Sequence, residues 1–328
     1  MGHRRVEQQA GLTGPGPAEH PQDAAPCRIE RGARFGGMRS PVLRHTAMTA
    51  LPSDKSGRGW HHQRVNSDHL LHVHRYGPPA PVQILAIHGL TGHGQRWQHL
   101  ADDHLGEFSV AAPDLIGHGR SSWAAPWTFD ANVSALAALL KRSADRPVLV
   151  VAHSFGCAVA LQLAASHPDL VGALVLLDPA VGLDGGWMAQ IADAMLASPD
   201  YPDAAEARAE KEHGSWADVA PAVLDAEVDE HLITLPSGRV GWRISVPAMM
   251  SYWSELARGI VLPAPGTATT LVRATRTSPP YVGEDLITAL TERLGPDFRL
   301  VDLDCQHMVP HARPGEVAEL IRARLPVT

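Results

Sequence analysis

Short apolar runs closed off by turn-forming residues recur along this chain, with helical stretches between them, and this alternation limits the fold more than any other feature. The first four runs are PVQILAIHG (81–89), FSVAAPDL (108–115), PVLVVAHS (147–154) and ALVLLDPA (173–180). A strand apolar at successive positions must bury both faces, which is the condition of a parallel sheet covered by helices on each side. Between the runs, ANVSALAALLKRSA (131–144) puts Val133, Leu136, Leu139 and Leu140 on one helical face, and FGCAVALQLAASHP (155–168) carries Val159, Leu161 and Leu163. The pattern predicts an α/β fold with a mostly parallel, doubly wound sheet.

The alternation stops near Val181 and resumes with TATTLVRAT (267–275), a helix over 283–294, the strand FRLVDLD (298–304) and a helix over 314–325. Residues 182–262 between these blocks read as mostly helical and hold Trp187, Trp216, Trp242, Trp253 and the Met249–Met250 pair. A helical insertion between parallel strands leaves the sheet at their C-terminal ends, where such sheets bind ligands. The expected organisation is therefore a core over 56–181 and 263–328, with 182–262 as a lid over the site. Residues 1–55 show no usable periodicity and read as a disordered tail, or, for 1–47, as sequence upstream of a start at Met48. HQRVNSDHLLHVHRYG reads as a hairpin turning at Asn66–Ser67–Asp68.

Composition excludes several classes. A formal net charge of −7 lacks the basic footprint of a nucleic-acid binder. No apolar run is long enough to span a bilayer, and the first twenty residues contain no apolar core of a secretory signal. The three cysteines, Cys27, Cys157 and Cys305, form neither a disulfide framework nor a metal-ligand spacing, and they fit a reducing, cytoplasmic setting. The expected partner is a small-molecule substrate, with no cofactor; nothing in the sequence sets an oligomeric state.

The chemistry concentrates in LVVAHSFGCAVA (149–160). A serine on a very tight strand-to-helix turn is forced outward, and its neighbours two places away must be small because the two backbone arms converge. Ala152 and Gly156 meet that condition around Ser154, with alanine where glycine is commoner. The bland alternative is a helix-capping serine. Its surroundings favour the functional reading. LAIHGLTGHG (85–94) turns at His88–Gly89 and exposes the Leu90 N–H, which with the Phe155 N–H makes an oxyanion hole. APDLIGHGRS (112–121) ends another strand at Asp114, read as a structural cap of its turn, and DCQHMVPHARP (304–314) places His307 just past the last strand.

Together these motifs resemble the α/β-hydrolase superfamily, in its lid-bearing serine hydrolase branch, over residues 60–328. The resemblance implies Ser154 as nucleophile, His307 as general base, and the Leu90 and Phe155 amides as oxyanion donors. It implies a carboxylic-ester hydrolase working through an acyl-enzyme on a small, partly apolar substrate. The alternatives are a carbon–carbon bond hydrolase, a cofactor-free haloperoxidase or perhydrolase, or a non-catalytic ligand-binding protein on the same scaffold. Epoxide hydrolases and dehalogenases of this fold use an aspartate nucleophile, and Ser154 departs from that.

The base needs a carboxylate partner. Most of the superfamily carries it in the loop after the penultimate strand, but here that loop offers Arg276, Thr277 and Ser278. Glu284 and Asp285 follow, in positions suited to the first turn of a helix. Asp178 ends the strand after the nucleophile helix, where some members place the acid, and it is the favoured candidate. Asp304 lies too close in sequence to His307. His311 competes with His307 as base but does not follow the strand directly, and His153 is expected to pack behind the site. His72 and His74 alternate on one strand face as in a metal site; without a third convergent ligand they read as a surface pair, so no metal is expected.

Overall fold

A computed structural model describes residues 71–325. The expectations for the tail, for Cys27 and for the first arm and turn of the hairpin lie outside the described residues. The strands of the main sheet are β1 (Val73–Tyr76), β2 (Ile84–Ile87), β3 (Val110–Pro113), β4 (Val148–His153), β5 (Val171–Leu177), β8 (Ala268–Ala274) and β9 (Phe298–Leu303). They form a seven-stranded sheet in the order β1-β3-β2-β4-β5-β8-β9. Only β1 is antiparallel to its neighbour; the other pairings run parallel. Most strands are shorter than the apolar runs that predicted them, because the run ends form the turns that carry the site. β5 instead starts earlier, at Val171, where it pairs with Val148.

Helices cover both faces. α2 (Phe129–Ser143), α3 (Phe155–Ser166) and α8 (Glu284–Leu294) pack their apolar residues on one side of the sheet. α1 (Gln98–His104) and α10 (Pro314–Arg322), with the short α9 (Val309–Ala312), close the other side. α2 begins two residues before the apolar pattern suggested, since Thr128 accepts the Ala131 N–H and caps it. Val133, Leu136, Leu139 and Leu140 are all buried, while Lys141 and Arg142 fall in the last turn, where cations suit the dipole. α3 is apolar on nearly every side, because it lies sandwiched between the sheet and α2.

Four helices lie between β5 and β8: α4 (Gly185–Ala197), α5 (Ala204–His213), α6 (Pro221–His231) and α7 (Val246–Leu256). They are joined by a hairpin of β6 (Leu232–Thr234) and β7 (Val240–Trp242), which the helical reading of this segment missed. Its signal was present: LITLPSGRV sets a Pro-Ser-Gly turn between apolar residues, and Gly238 adopts a φ of 82°. α7 packs into the main core through Ala248, Met249, Tyr252 and Leu256. Among the described residues no helix is long and apolar enough to cross a membrane.

Candidate active site

Sheet register sets the site. His153 at the end of β4 pairs with Leu177 at the end of β5, so Ser154 and Asp178 leave adjacent strands at the same level. Both residues have left-handed backbone conformations, with φ of 53° and 43°. That conformation is rare for residues with a Cβ and costs on the order of 1–3 kcal/mol each. Tertiary contacts hold it in place. The Ser154 N–H donates to the Leu177 carbonyl (2.9 Å), and the Asp178 N–H donates to Val272 on β8 (2.7 Å). At Gly156 a Cβ would lie 2.5 Å from the His88 carbonyl oxygen, and at Gly89 one would lie 3.1 Å from the Ser154 Cβ. The small residues around the serine are therefore required by the close approach of the β2 and β4 ends.

His307 reaches these residues from the turn after β9. Its Nε2 lies 2.9 Å from Ser154 Oγ and its Nδ1 lies 2.6 Å from Asp178 Oδ2. Nδ1–H donates to the carboxylate and Nε2 accepts from the serine hydroxyl. Asp178 is 1% exposed. It also accepts the Ala274 N–H on Oδ1 (3.1 Å) and the Thr277 hydroxyl on Oδ2 (3.1 Å). Thr277 thus occupies the loop where the acid was first sought, and it serves the carboxylate as a donor.

The other candidates fall elsewhere. Glu284 and Asp285 sit exposed in the first turn of α8, and Glu284 pairs with Arg273 at 3.4 Å. Asp304 is exposed and pairs with Arg276 at 3.2 Å. His311 packs against Trp216, and burial pushes its pKa down to about 3. Asp114 is buried and accepts the Gly94 and Arg120 N–H groups at 2.7 and 2.8 Å, as a turn cap does. His153 donates from Nε2 to the His307 carbonyl (2.7 Å), and burial, then the nearby His307, holds its pKa well below the usual imidazole range. Cys157 is fully buried and its thiol is pushed up by desolvation, so it packs as a small apolar residue.

The loop after β2 flanks the serine. His88 fixes the start of this loop: its Nδ1–H donates to the Gly89 carbonyl (2.7 Å) and its Nε2 accepts the Leu115 N–H (2.9 Å). Phe155 is the first residue of α3, so its N–H has no acceptor within the helix. Neither it nor the Leu90 N–H donates to another backbone group among the described residues. A cavity of about 150 Å³ opens over Ser154 and His307, walled by Leu90, Trp216, Trp253, Leu256, Tyr281 and Met308. The Tyr281 ring lies 4.4 Å from that of His307.

Sequence reasoning missed Thr277 and Tyr281, and it missed Arg96. Arg96 borders the same cavity, donates to the Thr91 carbonyl (3.1 Å) and pairs with Glu227 of α6 at 2.5 Å. No local pattern marks an arginine whose partner lies on a distant helix.

A serine on a strand-to-helix turn, hydrogen-bonded to a carboxylate-held histidine at the end of a parallel sheet, defines a class of enzyme fold. The α/β hydrolase family matches residues 84–320, and the chain belongs to that family. Lipase LipV of Mycobacterium tuberculosis is 68% identical over 255 residues, covering 78% of this chain and 97% of the relative. An esterase of the same organism is 38% identical over 106 residues, covering 32% of this chain and 35% of its own length. Among solved structures, E-2-(acetamidomethylene)succinate hydrolase superposes with a TM-score of 0.66 at 20% identity, over 77% of this chain and 94% of that one. A marine microorganism esterase does so with a TM-score of 0.62 at 21% identity, over 78% and 99%. At those identities the structural likeness speaks for the fold.

Proposed function

We propose that this esterase-type α/β hydrolase cleaves carboxylic esters through an acyl-enzyme on Ser154. Kinship with proteins named lipase and esterase supports ester hydrolysis. The observation that carries the mechanism is the continuous hydrogen-bonded path from Ser154 Oγ through His307 to Asp178, at 2.9 and 2.6 Å. In this reading the Ser154 oxygen attacks the ester carbonyl carbon as His307 Nε2 takes its proton. The carbonyl oxygen becomes an oxyanion facing the Leu90 and Phe155 N–H groups. The tetrahedral species collapses, and the alcohol leaves with the proton from His307. Water then gives its proton to His307 and attacks the acyl carbon, and the product acid departs as Ser154 regains its proton. Asp178 holds the imidazole tautomer and offsets the charge it gains.

Residues 182–262 act as a lid in this proposal. Trp216, Trp253 and Leu256 of that segment wall the cavity beside Ser154, which supports the assignment. The other two lid tryptophans do not wall the cavity. Trp187 stacks on Tyr281, and Trp242 sits in the hairpin under Lys211. Ser154→Ala tests the reading. Turnover of short p-nitrophenyl esters is expected to fall by about 10⁴-fold or more, with covalent labelling by a fluorophosphonate lost. Retained activity would show that another group does the chemistry.

A further inference from the structure

The geometry points to a site for a first-row divalent transition metal of the zinc class, formed by His72, His74 and Asp114. In the sequence the two histidines are a pair without a third ligand, and the sheet supplies the third. His74 lies on β1 and His72 just precedes it, so their side chains share one face. β1 runs antiparallel to β3, which brings its start beside the residue following β3, Asp114. The Asp114 N–H donates to the His72 carbonyl at 2.9 Å, continuing the ladder. One donor atom from each of the three side chains lies within 4.8 Å of the other two.

The second observation is an unsatisfied donor set. His74 Nε2 is buried and makes no hydrogen bond, although Asp114 Oδ1 is only 3.3 Å away. A buried ring nitrogen aimed at a carboxylate without a bonding angle is the arrangement an ion between them would resolve. The ligands are also held in place. Asp114 is fixed by the Gly94 and Arg120 amides, and its own carbonyl accepts the Ser121 hydroxyl, which in turn accepts the His72 N–H. Each carboxylate oxygen keeps a lone pair beyond those bonds.

Two imidazoles and one carboxylate suit zinc, cobalt or nickel better than calcium or magnesium, which take more oxygen ligands. Metal–ligand distances of about 2.0–2.2 Å require the donors to draw together, and the exposed His72 ring can turn to do this. Its exposure also gives an entry path and leaves the remaining positions to water. β3 and β2 separate β1 from β4, so the ion would not touch Ser154. Its effect is structural: it clips the edge strand to the turn after β3.

The test uses the full chain without an affinity tag, stripped with chelator and blocked at Ser154 by a fluorophosphonate so that His307 does not compete. Titration with ZnCl₂ by calorimetry should give one saturable site together with a rise in Tm. His72→Ala and His74→Ala should each weaken binding by about tenfold or more and remove the Tm rise. His72 is exposed, so its variant keeps the fold and the result stays interpretable if His74→Ala does not fold. No saturable binding below about 1 mM, or the same affinity in the His72 variant, would overturn the site.

Discussion

Three residues separated by 24 to 153 positions meet around one imidazole, and their environments differ in what they tolerate. Asp178 is enclosed by donors, so replacing it with asparagine removes the charge and presents an N–H to Nδ1–H. Asp178→Asn is expected to lower kcat on short esters by about 10³–10⁴-fold while leaving KM nearly unchanged. Glu284→Gln, on the exposed first turn of α8, should leave kcat within about twofold, since surface carboxylates there act only weakly through the dipole. The opposite pattern would move the acid to the later loop. Gly156 is constrained by geometry rather than by charge. Its substitution by alanine sets a Cβ 2.5 Å from the His88 oxygen and 2.7 Å from that of Ile87, both backbone atoms. Separating these strand ends should cost roughly 1–3 kcal/mol, measured by urea unfolding, with a loss of activity because the same ends carry Ser154 and the Leu90 loop.

At the scale of elements, one contact that joins α5 and α6 to the core is ionic and buried, beside an apolar cluster of Trp216, Val219, Leu224 and Met308. Glu227 of α6 accepts from Arg96 and from His93 Nε2 (2.7 Å) of the loop after β2, and Lys211 of α5 lies 3.2 Å from it. Burial pushes the Glu227 carboxyl up, but Arg96, Lys211 and His93 outweigh it and hold the group well below its ordinary 4.5. Desolvation in turn draws the Lys211 amine down to about 8. Glu227→Ala leaves Arg96 and Lys211 buried without a counter-charge and should destabilise the protein by roughly 3–5 kcal/mol in thermal or urea unfolding. A carboxyl with a depressed folded pKa contributes stability that is full above the unfolded value and is lost as pH falls through the folded one. The wild type should therefore lose stability on acidification below 4.5 through this group, while the Glu227→Gln variant, with nothing to titrate there, should show a shallower decline. Arg96 also holds the Thr91 carbonyl, so activity of the variant should fall more than its folded fraction.

For the whole molecule, the proposed mechanism makes the cavity over Ser154 the bound on the substrate range. About 150 Å³ is small beside the ~300–1,000 Å³ of drug-sized pockets, and its walls include Trp253, Leu256 and Met308. Along a series of p-nitrophenyl esters, kcat/KM should peak at acyl chains of roughly two to six carbons and fall for longer ones. A peak at long chains would mean that the 182–262 segment moves aside when substrate binds. The fold class was legible in the sequence because a parallel sheet buries both faces of each strand, and this writes itself into contiguous apolar runs. The turn around Ser154 was legible because the crowding at Gly156 acts over a few neighbouring residues. His307 follows directly from the last strand of such a sheet. Tertiary structure decided which carboxylate lies against that histidine, which hydroxyl serves the carboxylate, and which helix anchors the loop after β2. It also gave the His72–His74 pair its third neighbour. Those contacts depend on strand order and register, which bring distant residues to one sheet end, and side-chain convergence of that kind leaves no periodic trace along the chain.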